Sequence, residues 1–312
     1  MRAFLFPGQG SQAVGMGAAL GQASRAARDV FEQVDEALGQ NLSRLMRDGP
    51  EEELKLTTNA QPAIMANALA VCSALTREGN VVLTKSAQFV AGHSLGEYSA
   101  LCAAGTFDLP TTARLLKHRG QAMQSAVPVG VGAMAALLGA DLALAQKIAD
   151  AAARGDVCSV ANDNDPSQVV ISGHKSAIDR AVDMAKDMGA KRAILLPVSA
   201  PFHCPLMQPA AEAMDKVFGE TRFGAPAVPL YANVTAEATS DPETIQRLLV
   251  EQVTAMVRWR ESVANMAAAG VDEFVELGGK VLGPMVKRIA PDAKVTSVVT
   301  IEDLEALAKE IA

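Results

Sequence analysis

Phe89-Val90-Ala91-Gly92-His93-Ser94-Leu95-Gly96-Glu97-Tyr98 joins a short apolar run to a helix-like stretch, Leu95 to Ala103, with glycines two residues either side of Ser94. Glycine at both places lets the backbone turn sharply from strand into helix. The serine hydroxyl then stands exposed at a helix N-terminus, among amide N–H groups that point the same way. This is the nucleophile-elbow pattern, and a serine held so accepts an acyl group. The bland alternative is a tight helix entry without chemistry. The apolar strand before it and the helical pattern after it are the context the elbow requires.

Working outward, the segments before the elbow alternate: an apolar run Ala3 to Phe6, amphipathic stretches Gln22 to Leu38 and Thr58 to Leu75, then Phe89 to Ala91. Such alternation predicts an α/β fold with a parallel sheet and helices on both faces. From Ala133 the pattern changes. Ala133 to Leu138 reads as strand, Asp141 to Ala153 as helix, Val157 to Ala161 and Gln168 to Ser172 as strands, Ser176 to Met188 as helix and Lys191 to Leu196 as strand. The order βαββαβ is ferredoxin-like. It predicts a small domain, residues 129–197, entered through Pro128-Val129-Gly130 and left through Pro197, inserted into a large catalytic domain of residues 1–128 and 198–312. The large domain resumes with a helix after His203, a strand Val228 to Ala232, a helix around Pro242 to Gln252 and a strand Phe274 to Leu277. A cleft between two domains is the expected place for a site.

At 312 residues, 49% hydrophobic and 20% charged, the chain can bury one sizeable core with a smaller one beside it. No window has the apolar length to cross a bilayer, and Met1 to Phe6 runs into Pro7-Gly8 too soon for a signal peptide, so a cytoplasmic location is expected. Cys72, Cys102, Cys158 and Cys204 lie far apart without a Cys-x-x-Cys pair, which fits reduced thiols rather than disulfides or zinc. The net charge of −7 argues against nucleic acid, and an acidic partner would have to be met by a local basic patch.

A serine hydroxyl is a poor nucleophile until a base takes its proton, so the four histidines become candidates. His93 lies inside the elbow, where neighbouring side chains diverge. His118, between Lys117 and Arg119 in a helix, reads as solvated or at a ligand rim, and His174, at a turn after Ser172-Gly173, as a surface residue. His203 is the candidate base: it follows Ser199-Ala200-Pro201-Phe202 at the start of an amphipathic helix, whose N-terminus disfavours the imidazolium. A capping histidine without chemistry is the alternative there. No acid stands out as a third member, and those of Asn162-Asp163-Asn164-Asp165 read as loop residues. A serine–histidine dyad, its ring oriented by a backbone carbonyl or an amide, fits at least as well as a triad. Pro7-Gly8-Gln9-Gly10-Ser11-Gln12 lacks the ending of a phosphate-binding loop and the dinucleotide spacing, yet a glycine loop at a strand end can aim N–H groups at an oxyanion. Arg119, by spacing alone, is more simply a solvated helix residue, although a guanidinium is the natural reader of a free carboxylate.

Taken together, Pro7-Gly8-Gln9-Gly10-Ser11-Gln12, Gln61-Pro62-Ala63, the elbow through Tyr98, Arg119-Gly120, Pro201-Phe202-His203 and Gln252 resemble the malonyl-coenzyme A:acyl carrier protein transacylases in order and spacing, over essentially the whole chain. The resemblance implies a large α/β-hydrolase-like domain with a ferredoxin-like insertion. It implies Ser94 as acylated nucleophile, His203 as general base and later acid, and Gln252 as the residue whose backbone carbonyl orients that histidine. The backbone N–H groups of Gln12 and Leu95 would form the oxyanion hole. Arg119 would grip the malonyl carboxylate, Gln61 and His93 would line the pocket, and Phe202 matches the malonyl-selective pattern. The implied reaction is ping-pong transfer from malonyl-CoA to the phosphopantetheine thiol of acyl carrier protein for fatty acid synthesis. It needs no cofactor or metal and involves neither nucleic acid nor membrane, and the enzyme is expected as a monomer. Lys117, Lys280, Lys287 and Arg288 are candidates for a basic landing site. One departure is visible: Glu276 to Leu282 resembles a loop one residue shorter than the family's, which puts its contacts with substrate or carrier in question. The rival readings are a serine esterase, a freestanding acyltransferase serving a polyketide synthase, a non-catalytic carrier-binding scaffold and, remotely, a Cys204 nucleophile.

Overall fold

The computed structural model describes residues 1–311, among which ten strands form two sheets. They are β1 (Arg2–Phe6), β2 (Phe89–Gly92), β3 (Gly132–Leu138), β4 (Cys158–Asp165), β5 (Gln168–His174), β6 (Arg192–Leu195), β7 (Leu230–Tyr231), β8 (Ala238–Thr239), β9 (Glu273–Leu277) and β10 (Lys294–Val298). The larger sheet has the order β10-β9-β1-β2-β7-β8, parallel throughout except for the β7–β8 pair. Its central strand β1 is buried on both faces: Phe4 and Phe6 point into one core with the Thr57–Arg77 and Leu109–Ala126 helices, Ala3 and Leu5 into another with Trp259 and Phe274. A strand covered on both sides reads as a continuous apolar run, which is how Ala3 to Phe6 reads.

The smaller sheet, β4-β5-β3-β6, is antiparallel. It packs the Leu142–Ala153 and Lys175–Ala185 helices around a separate core that includes Leu137, Ile148, Val169, Ile171 and Ile178. The chain order through this unit is βαββαβ, so the α/β class and the ferredoxin-like pattern both hold.

Two local expectations fail for identifiable reasons. The stretch Gln22 to Leu38 is not one helix. Ser24 adopts an extended backbone and its hydroxyl accepts the Ala27 N–H at 3.0 Å, ending a helix at Ala23 and capping the next, Arg25–Leu38. Asn162 to Asp165 is not a loop but the buried end of β4, with register shifts that let its polar side chains reach the other sheet's elements. Asp163 takes a two-oxygen grip from Arg260 Nε at 3.0 and 2.9 Å, Asp165 receives Arg288 at 2.7 Å, and Asn162 bridges Val257. Polarity there marks buried pairing rather than exposure.

Candidate active site

Ser94 sits just past the carboxyl end of β2, between β2 and the Gly96–Ala103 helix, with φ of 54°. A left-handed serine is strained, and the flanking glycines make it possible. A Cβ at Gly92 would lie 1.9 Å from the Gly96 carbonyl carbon, and one at Gly96 would lie 2.2 Å from the Phe6 carbonyl oxygen. The elbow is therefore pressed against β1 and its outgoing loop, which brings Gly8 to Gln12 beside the serine.

His203, also left-handed at φ 56°, comes from the segment that leaves the small sheet. Its Nε2 is 2.8 Å from Ser94 Oγ, and its Nδ1 is 2.8 Å from the Gln252 backbone oxygen. A carbonyl can only accept, so Nδ1 carries the hydrogen and Nε2 is free to take the serine proton. Burial, reinforced by the nearby Arg119 charge, pulls the ring's pKa down to about 3. The helix expected directly after His203 begins only at Gln208, behind the short turn Pro205–Met207, so burial rather than a helix N-terminus keeps the imidazole neutral.

Arg119 is not solvated. It is 1% exposed, and its guanidinium donates from Nη1 to Gln61 Oε1 at 2.8 Å and from Nη2 to Gln252 Oε1 at 2.9 Å and Ser94 Oγ at 3.2 Å. It also lies 5.6 Å over the Tyr98 ring. Nε is buried without a partner among the described residues, and a carboxylate arriving beside the serine would meet the Nη2 end of this cation. Gln61 is buried and fixed by Thr57 Oγ1 at 3.0 Å. The Ser94 N–H is taken by Asn233 Oδ1 at 2.7 Å, whereas the Leu95 and Gln12 backbone N–H groups have no acceptor among the described residues. These surfaces enclose a cavity of about 220 Å³ lined by Gln12, Gln61, His93, Ser94, Arg119, Phe202 and His203, with Met123 and Met134 as apolar walls and Lys55 at its edge.

His93 lines the cavity but its Nε2 is bonded to Asn164 Oδ1 at 2.8 Å, tying the elbow to β4. It is not placed as the base. His118 does not reach the cavity; its Nε2 is buried without a partner. His174 is more than a surface residue, since its Nδ1 accepts the Val157 N–H at 2.9 Å and closes the sheet end. Cys204 is buried, its thiol bonded to the Pro201 carbonyl at 3.2 Å and pushed up in pKa by burial, so it is no nucleophile. All four cysteines are unbonded, and no cluster of three His, Cys, Asp or Glu side chains is placed to hold a metal among the described residues. Sequence reading missed Glu97, Asn233 and Lys55. Glu97 carries a signal in hindsight, a carboxylate in an otherwise small and apolar helix turn; Asn233 carries none.

The acyl transferase domain family matches residues 3–282. The malonyl CoA-acyl carrier protein transacylase of Escherichia coli (strain K12) is 45% identical over 288 residues, 92% of each chain, and that of Bacillus subtilis (strain 168) is 42% identical over 305 residues, 97% of this chain and 95% of the other. This chain belongs to the malonyl-CoA:acyl carrier protein transacylase family. The crystal structure of an acyl-carrier-protein S-malonyltransferase from Bartonella henselae superposes with a TM-score of 0.97 at 51% identity over 99% of both chains. A malonyl-transacylase solved in complex with its type II PKS acyl-carrier protein gives 0.95 at 39% identity, again over 99% of both.

Within this transacylase family member the candidate basic residues separate. Lys117 is directed inward, its Nζ bonded to Gln40 Oε1 at 2.6 Å and Asn59 Oδ1 at 3.0 Å. Lys287 caps backbone carbonyls of Pro291 and Ala293, and Arg288 is held by Asp165, which leaves Lys280 exposed without an ion pair among the described residues. The Glu276 to Leu282 loop is organised internally: the Glu276 carboxylate accepts the N–H groups of Val281, Leu282 and Gly283, and Asn67 holds the Gly278 carbonyl. It does not line the cavity.

Proposed function

We propose that Ser94, His203 and the Gln252 carbonyl carry malonyl transfer from malonyl-CoA to the phosphopantetheine thiol of acyl carrier protein, in support of fatty acid synthesis. The observation that carries this reading is the placement of Arg119 Nη2 within 3.2 Å of the same Ser94 Oγ that His203 Nε2 approaches at 2.8 Å. An esterase needs the serine and the histidine; only an enzyme for an acyl group ending in a carboxylate needs the buried cation beside them.

In the first half-reaction His203 Nε2 takes the Ser94 proton as Oγ attacks the thioester carbonyl carbon. The oxyanion so formed is met by the Leu95 and Gln12 N–H groups, and donors placed in advance for that charge are worth several kcal/mol. Collapse breaks the carbon–sulfur bond, and the proton on His203 goes to the departing sulfur. Burial and Arg119 both disfavour the imidazolium, which drives the proton onward rather than letting it rest on the ring. In the second half-reaction the carrier thiol gives its proton to His203, attacks the malonyl-Ser94 ester, and Oγ regains the proton as it leaves. Met123, Met134 and Phe202 give the cavity apolar walls beside the dyad. The steps require no cofactor. The division into a catalytic domain of residues 1–128 and 198–312 with 129–197 inserted belongs to the same reading, as does a cytoplasmic location; no described helix is long and apolar enough to cross a membrane.

The test is partitioning of the acylated enzyme. Malonylated protein is mixed with phosphopantetheinylated acyl carrier protein from fatty acid or polyketide systems, or with buffer, and product is compared with free malonate. Transfer to a carrier well ahead of hydrolysis supports the reading, and the faster carrier identifies the system served. Hydrolysis that outruns transfer in every arm would make the protein an esterase.

A further inference from the structure

Glu97 lies in the first turn of the Gly96–Ala103 helix, 1% exposed; it does not line the cavity, and although its backbone N–H donates to the Ser94 carbonyl at 3.0 Å, its side chain bonds neither Ser94 Oγ nor the His203 ring. Its two carboxylate oxygens face different donors: Oε1 accepts the Asn233 backbone N–H at 2.5 Å, and Oε2 accepts Gln252 Nε2. Gln252 Nε2 also donates to the Ser94 carbonyl at 3.0 Å. With acceptors on that side, the amide can present only its oxygen to the other, where Oε1 receives Arg119 Nη2 at 2.9 Å. A carboxyl group, an amide and a guanidinium thus form one buried hydrogen-bonded chain.

From this arrangement we propose that Glu97 is a positioning residue for acyl-group selection: through the Gln252 side chain it fixes the pose in which Arg119 reads the malonyl carboxylate. The inference rests on the assignment of Arg119 made above and deepens it. The two functions of Gln252 separate along its own atoms. Its backbone oxygen orients His203, whereas its side chain, clamped by Glu97, orients Arg119. Loss of the Glu97 acceptor frees the amide to rotate and Arg119 to leave its place over Ser94, while His203 keeps its bond to the Gln252 backbone oxygen. The reaction should survive and the preference should not. Burial raises the Glu97 pKa to about 8, against the pull of the Asn233 and Gln252 N–H groups and of Arg119.

The test compares wild type, Glu97→Met and Glu97→Gln, each alone and combined with Arg119→Met, by kcat/KM for malonyl-CoA and for acetyl-CoA with one carrier. In Glu97→Met the malonyl-to-acetyl ratio should fall by tenfold or more, mainly through KM for malonyl-CoA, beyond any loss common to both thioesters that passes through Asn233 to the Ser94 backbone. In the Arg119→Met background the same substitution should leave the ratio unchanged. Glu97→Gln keeps one acceptor where two donors converge; should Glu97→Met fail to fold by thermal melting, this variant is read instead, with a fall of at least threefold expected. A folded variant that keeps the wild-type ratio would overturn the proposal, as would equal losses with both thioesters or a further fall on top of Arg119→Met. A wild-type protein that is not malonylated on Ser94 would instead defeat the functional reading itself.

Discussion

Replacing Arg119 by methionine keeps most of the side-chain volume and removes the charge that the account assigns to the malonyl carboxylate. In the free enzyme the guanidinium already serves Gln61, Gln252 and Ser94, so carboxylate binding adds donors on one side and gives up the weak 3.2 Å bond to Ser94 Oγ. Two hydrogen bonds between charged partners contribute about 1.5–3 kcal/mol each, and the loss of the serine bond and the carboxylate's desolvation bring the net to about 3–4 kcal/mol. At 1.4 kcal/mol per factor of ten, kcat/KM for malonyl-CoA should fall by roughly two to three orders of magnitude, while acetyl-CoA, with no carboxylate to read, should lose far less, only what Arg119 contributes at Ser94 Oγ and His203. The substitution leaves two buried amide oxygens without a donor, so the folded fraction must be checked by thermal melting before rates are compared. The decisive assay presents both thioesters in one mixture and reads the ratio of acylated carriers. An unchanged ratio, or equal losses with both substrates, would refute the assignment of Arg119.

The acid limb of the reaction should be displaced. His203 works as a base only when neutral, and a pKa lowered to about 3 keeps it neutral well below the ordinary histidine range. Thus kcat/KM for acetyl-CoA, which brings no carboxylate of its own, should stay flat from about pH 7.5 down to about pH 5; an inflection near the ordinary histidine value would contradict the burial argument. Arg260→Gln should strand the buried Asp163 carboxylate at the junction of the two sheets' elements. Because Arg260 is itself about a third exposed, the cost should be about 1–3 kcal/mol rather than that of a fully buried pair. Melting temperature should fall by about 1.5–5 °C, and a wild-type value would show that the pair holds nothing.

The parts of the fold legible in the sequence are those whose causes are local. Ala3 to Phe6 announces a two-faced central strand by its unbroken apolar character, and Gly92 and Gly96 announce the elbow because only glycine fits where β1 and the helix press on it. The small sheet follows from alternation and short connections. The site is less legible because its partners are distant in the chain. Arg119 is indistinguishable from a solvated helix arginine until Gln61 and Gln252, 58 and 133 residues away, are seen to hold it. The acids of Asn162 to Asp165 read as loop because their guanidinium partners, Arg260 and Arg288, lie about a hundred residues further on. The resemblance supplied Arg119, and nothing local supplied the clamp. Ser24 breaks a helix with one hydroxyl and an extended backbone, a change that hydrophobic periodicity does not register.

The most direct measurement of the central claim is the intact-protein mass of wild type and Ser94→Ala after brief exposure to malonyl-CoA. The account predicts one malonyl adduct per chain on the wild type, none on Ser94→Ala, and loss of the adduct on addition of phosphopantetheinylated acyl carrier protein with equal gain of malonyl on the carrier. An adduct of the same yield on Ser94→Ala, or no adduct on a folded wild type, would contradict it.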